Sequence, residues 1–251
     1  MKNALRFLVP LAAAALPVAL VAPAHAAGGQ SYQATLDPLN HSGGSGMATV
    51  TVHGRTADIH VTWSGLASTF GGNPYPHVQH IHIGGQGTCP GPSADKNGDG
   101  VISTTEGGPA YGGVSTTLSV KGDTSPNAAT DIKIAPSGSS TDYRRTIRLS
   151  SDTLSSLRDG TGVVVVHGLD PATLSKRAQK EKSDLVPSLP LAATSPALCG
   201  TLTAMPTGGV ATGTGSTAGL EDAGLLGAGG AMVAAGAVGV AVTRRRAATG
   251  A

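Results

Sequence analysis

What most constrains this chain is a series of short segments in which apolar and polar residues alternate with a period of two, each closed by Gly, Asn, Asp or Pro. That period puts successive side chains on opposite faces of a β-strand. The segments are residues 32–36, 48–52, 57–63, 77–83, 113–120, 132–134, 145–149 and 162–167. Residues 48–52 and 57–63 form the arms of a hairpin around His53-Gly54-Arg55-Thr56. In the second arm Ile59, Val61 and Trp63 face the core, and Asp58, His60 and Thr62 face outward. One short helix is expected over residues 151–158, with a Ser/Asp start and a stop at Gly160. Seven or eight strands without an internal repeat predict an all-β fold, a Greek-key sandwich or barrel over residues 31–204. The 37 glycines and an aromatic content of only 3% agree with a turn-rich β protein.

The two ends of the chain point to export. Lys2 and Arg6 precede a nearly all-apolar run over residues 7–21, and Ala24-His25-Ala26 supplies small residues for cleavage, so residues 1–26 read as a signal peptide. Residues 205–222, rich in Gly, Thr and Ser, read as a flexible stalk. Residues 223–243 then run without a charge up to Arg244-Arg245-Arg246, a length of about 30 Å as a helix, which predicts a transmembrane anchor. The arginines place residues 244–251 in the cytoplasm and the β domain at the cell surface, outside the plasma membrane. Residues 27–222 hold 12 Lys+Arg against 15 Asp+Glu. A domain with that balance lacks the basic face a nucleic-acid partner needs. In an exported domain the even pair Cys89 and Cys199 usually means a disulfide, two free thiols being the alternative.

His80-Ile81-His82 carries the most suggestive chemistry. Residues two apart in a strand share a face, so both imidazoles can reach one ion, and His167 closes the apolar run Val163-Val164-Val165-Val166. Imidazole sets of this kind suit copper, zinc or iron. The string His77-Val78-Gln79-His80-Ile81-His82 resembles the His-x-x-His-x-His strand of copper/zinc superoxide dismutases. A Gly-rich turn and Cys89-Pro90-Gly91-Pro92 follow it, then Val164-Val165-Val166-His167, and last Ala197-Leu198-Cys199-Gly200, similar in order and spacing to that family's motifs. Ile81-His82-Ile83-Gly84 also resembles the His-x-His strand of exported CHRD-type domains. The resemblance implies an eight-stranded Greek-key barrel, a Cys89–Cys199 bridge, a copper on His80, His82 and His167, superoxide as small ligand, and His77 as a structural residue. Two departures stand beside it. Residues 83–166 contain no histidine, which excludes a zinc site of that family's kind, and Pro196 stands where the family places an arginine that attracts the anion.

Residues 95–106 follow the twelve-residue calcium-loop pattern. Asp95, Asn97, Asp99, Ser103 and Glu106 supply oxygens at positions 1, 3, 5, 9 and 12, Val101 supplies its carbonyl, and Gly100 makes the turn at position 6. Pro90, Gly91 and Pro92 before it, and Gly107, Gly108 and Pro109 after it, predict an orphan EF-hand-type loop without flanking helices and hence a structural calcium. The expected function is that of an exported, membrane-anchored, superoxide-dismutase-like metal-binding domain with copper and calcium. An active copper-only dismutase and a non-catalytic, calcium-stabilised adhesion module are the alternatives.

Overall fold

In the computed structural model, residues 29–206 are described. The expected signal peptide, transmembrane segment and cytoplasmic tail, and nearly all of the stalk, lie outside the described residues. Among the described residues no helix is long and apolar enough to cross a membrane. The strands are β1 (Gln30–Pro38), β2 (Ser45–His53), β3 (Thr56–Ser64), β4 (Thr69–Phe70), β5 (Asn73–Pro74), β6 (Gln79–Gly84), β7 (Gly112–Thr117), β8 (Ser140–Arg148), β9 (Val163–His167), β10 (Pro196–Thr201) and β11 (Thr203–Ala204). Three helices interrupt them: α1 (Thr104–Tyr111), α2 (Ser151–Arg158) and α3 (Leu191–Thr194).

Eight strands follow one antiparallel path, β7-β6-β9-β10-β1-β2-β3-β8, with β11 paired to β1 and a separate β4-β5 ladder. The path curls until its ends meet. Trp63 Nε1 of β3 donates to Gln79 Oε1 of β6 at 3.1 Å. Arg145 of β8 donates to the carbonyls of Ser119 and Gly122, just beyond β7. Ile59, Val61 and Trp63 therefore share one core with Ile81, Val164 and Val166 from the opposite end of the path. Burial of such apolar faces is the main driving force for closing the sheet.

The hairpin, the inward set Ile59, Val61 and Trp63, and the helix over residues 151–158 agree with expectation. His53 pairs with Thr56 across the two-residue loop, where Gly54 takes the positive φ of 64° that such a loop needs. Ser150 caps α2 by accepting from Thr153 N. Three expectations are corrected. Residues 132–134 form a 3₁₀ turn rather than a strand, because Asp131 accepts from Lys133 N and bends the chain at once. β8 begins at Ser140, five residues before the expected segment, since Ser140, Thr141 and Asp142 carry the strand with polar side chains that give no apolar signal. The loop is also not free of a following helix: α1 runs through Gly107, Gly108 and Pro109. A reciprocal capping box starts it, Ser103 accepting from Glu106 N at 3.3 Å and Glu106 Oε2 from Ser103 N at 2.9 Å. That nucleus outweighs the poor helix propensity of the residues behind it.

Candidate metal centre

β6 is buried on both faces. Gln79 and Ile81 point into the barrel, whereas His80 and His82 point outward beneath a cover made by α1, α3 and the loops. In β9, Val164 and Val166 join the barrel core, and Val163, Val165 and His167 take the other face. The register pairs His80 with Val165 and His82 with Val163, so His167 stands two residues along the same face from His80's partner. The antiparallel ladder thus brings together the three expected histidines. Their ring centroids are 5.2 Å (His80–His167), 5.5 Å (His80–His82) and 5.8 Å (His82–His167) apart. Each ring is buried, with exposures of 2 to 4%.

Each imidazole has one nitrogen bonded and one left over. His80 Nε2 donates to Ala129 O at 2.9 Å, His82 Nδ1 to Gly112 O at 2.9 Å, and His167 Nδ1 to Thr194 O at 2.7 Å. Carbonyl oxygens only accept, so those nitrogens carry the proton and the others present lone pairs. The others are His80 Nδ1, His82 Nε2 and His167 Nε2, all buried without a hydrogen-bond partner. Each of the three rings offers a nitrogen within 4.8 Å of one on each of the others. A buried acceptor left unpaired costs about 1–3 kcal/mol, and three on neighbouring rings make a donor set that could hold one ion. Burial, reinforced by the neighbouring imidazoles, pushes the His82 ring down to about 3 and holds His80 well below its ordinary value. Burial alone pushes His167 down to about 4. The rings are therefore neutral, the form in which imidazole ligates.

His77 is a positioning residue, as expected, and not a ligand. Its Nδ1 faces His167 O and its Nε2 faces Ala67 O, each at 2.9 Å, and its ring packs against Trp63 and Tyr75. The residues that sequence reasoning missed are the ones that aim the ligands. Ala129, Gly112 and Thr194 act through backbone carbonyls, which leave no mark on residue identity. Tyr111 sets its ring 4.8 Å from that of His82 and donates to Thr104 O. Gly112 alone carries a signal: its φ is 89°, and a Cβ there would fall 2.0 Å from Ile83 O.

Cys89 and Cys199 form a disulfide that ties the loop following β6 to β10. Within the loop, Asp95 accepts from Gly98 N and Gly100 N, Asn97 Oδ1 from Asp99 N, Asp99 from Val101 N, and Glu106 Oε1 from Lys96 N and Asn97 N. Among the described residues the three histidines are the one group of His, Cys, Asp or Glu whose ligand atoms gather this closely, so the carboxylates of Asp95, Asp99 and Glu106 do not share such a centre. From outside the loop, Arg177 donates to the carbonyls of Gly98 and Asn97 and, at 3.0 Å, to Glu181 Oε1; the Asp99 side chain raises the Glu181 pKa and Arg177 opposes the rise.

No protein-family model matches the chain, and the search of curated proteins finds no match. Among solved structures the chain is similar to a Glu-to-Gln mutant of superoxide dismutase 5 from Candida albicans, at 18% sequence identity and a TM-score of 0.39, over 74% of this chain and 99% of that one.

Proposed function

We propose that this chain is an exported copper-binding domain, held at the cell surface by residues 223–243, with a calcium ion ordering residues 95–106. The observation that carries the copper reading is the matched set of free lone pairs on His80, His82 and His167, each ring fixed by its second nitrogen. Outer hydrogen bonds of this kind set the tautomer and ring orientation of metal-bound histidine. A three-imidazole donor set suits copper. When bound, copper supplies one-electron redox chemistry at a position that three protein ligands leave open. The chain's own residues hold the rings neutral, aim them, and keep bulk water off through α1 and α3. Superoxide is the ligand implied by the resemblance of the motifs, and no Lys or Arg lines the approach to draw it in.

For calcium, the support is the sequence order of the donors Asp95, Asn97, Asp99, Val101, Ser103 and Glu106. Calorimetric titration of the exported domain with copper tests the first reading. One equivalent should bind to the wild-type protein, and His80→Ala should lose at least tenfold in affinity. Equal affinities would end the reading.

A further inference from the structure

The cavity in front of the histidines has a composition the motif did not foretell. It encloses about 60 Å³ and is lined, besides the three ligands, by Val78, Val114, Ile132, Leu185 and Leu189, with Pro and Ala completing its apolar wall. Its only other polar residues are threonines, and no lining residue is charged. Ile132 and Leu185 form the outer lip, 55% and 51% exposed. Large aliphatic side chains half in water at the mouth of a polar centre are the unexpected element.

Size and polarity each select. A dry cavity that admits benzene measures roughly 150 Å³, so this one is closed to aromatic rings and open to molecules of a few heavy atoms. An anion entering it exchanges its hydration shell for methyl groups, a loss that an uncharged molecule of the same size does not suffer. The net negative balance of residues 27–222 adds no attraction for an anion from farther out.

We propose that the three-histidine centre serves small uncharged ligands of two or three heavy atoms in preference to anions of the same size. The inference rests on the copper reading and specifies what reaches the open position. Val78 and Val114 narrow the space, and Ile132 and Leu185 keep charge away from its entrance.

The test uses carbon monoxide and azide, linear probes of similar girth that differ in charge. Copper loading is measured first, by titration of wild type, Leu185→Arg and Ile132→Lys, so that a failure to bind metal is seen separately. Both substituted residues are half exposed, so the variants should keep the fold, which their melting temperatures check. On the ascorbate-reduced, copper-loaded proteins, carbon monoxide binding is read from its infrared stretch and should agree within about twofold across the three. On the oxidised proteins, azide binding is followed by absorption. Its association rate in the wild type should not fall as salt is raised, whereas each variant should bind azide about threefold faster at low ionic strength and lose that gain in salt. The ion's own charge is common to all three proteins, so the comparison isolates what the lip contributes. A copper-loaded wild type that takes up no carbon monoxide, a wild-type azide rate that falls steeply with salt, or variants that leave the azide rate unchanged would each overturn the proposal.

Discussion

Thr104 Oγ1 and His167 Nδ1 donate to the same acceptor, the carbonyl oxygen of Thr194, at 2.5 and 2.7 Å. Thr104 is the first residue of α1 and His167 the last of β9. Through that oxygen the helix that begins inside the acidic loop takes part in orienting one ring of the candidate metal centre. The far end of the same helix does the like for a second ligand, since Gly112, which terminates α1, offers its carbonyl to His82. One short helix therefore spans the loop and two of the three imidazoles.

Removing the Thr104 hydroxyl should be felt at the ion without touching a ligand. Thr104→Val deletes one donor to Thr194 O and costs about 1 kcal/mol in stability, the net worth of one hydrogen bond. Partners behind the ligands change metal affinity by about 10- to 100-fold, and a partner one bond further out is expected at the lower end, near tenfold. Thr104→Ser keeps the donor and should restore wild-type affinity in a copper titration. If valine and serine bind copper alike, the shared carbonyl has no part in aiming His167.

Acid should destabilise the metal-free protein. Burial holds all three rings below their ordinary pKa of 6.5, His167 at about 4 and His82 at about 3. Between about pH 6.5 and pH 4 the unfolded chain therefore binds protons that the folded chain does not, so stability is complete above that window and is lost as the pH falls through it. Each ring contributes a slope of up to about 1.4 kcal/mol per pH unit. The melting temperature should fall from pH 7 to pH 5, to which buried His77 also contributes, and His82→Gln should flatten that fall by removing one of these contributions. A wild-type Tm that is level across this range would show the rings to be accessible to protons.

The histidine set was legible because β-strand geometry is local. His80 and His82 share a face by period two alone, and His167 closes a run apolar on both faces, as a central strand must be. That Ile81 packs inward while its neighbours point to the cover follows from the same rule. What could not be read is what the cover does. The acceptors on Ala129, Gly112 and Thr194 are main-chain atoms, placed by turns whose side chains say nothing of it. Gly107, Gly108 and Pro109 each argue against a helix, and α1 forms because a capping box and the Tyr111–Thr104 bond fasten both of its ends. Likewise residues 132–134 carry β-branched isoleucines, yet the Asp131 side chain decides their backbone, and Ile132 ends at the lip of the cavity instead of in a sheet.

Calcium should stiffen the segment from residue 84 to 112. Glu106 is both the twelfth position of the loop and the capping residue of α1, with one oxygen on Lys96 N and Asn97 N and the other on Ser103 N. Glu106→Gln keeps one acceptor oxygen, enough for the Ser103 N bond of the capping box, and drops the charge together with the acceptor for Lys96 N and Asn97 N. In the wild type, millimolar calcium should raise the Tm and slow proteolysis of this segment, by about 2.7 kcal/mol of stabilisation at a hundredfold excess over Kd. The variant should melt close to the calcium-free wild type and respond little to the ion. Identical proteolysis of the wild type in calcium and in chelator would refute a calcium role.

The Cys89–Cys199 bridge closes a span of 110 residues and fastens the start of the loop to β10, whose Cys199 lies against Val165 of β9 and Asp37 of β1. In the chain-entropy account a span of this length stabilises by about 4–5 kcal/mol, so Cys89→Ser with Cys199→Ser should melt well below the parent. The effect should extend to the ion, because everything between Cys89 and β7 is tethered here, α1 and its two carbonyl relays included. Copper affinity of the double variant, measured below its lowered Tm, is expected to drop by several-fold, and added calcium should recover part of the loss by ordering the same loop from its acidic end. A double variant that melts lower yet binds copper as tightly as the parent would show that β6 and β9 aim the three rings without the helix.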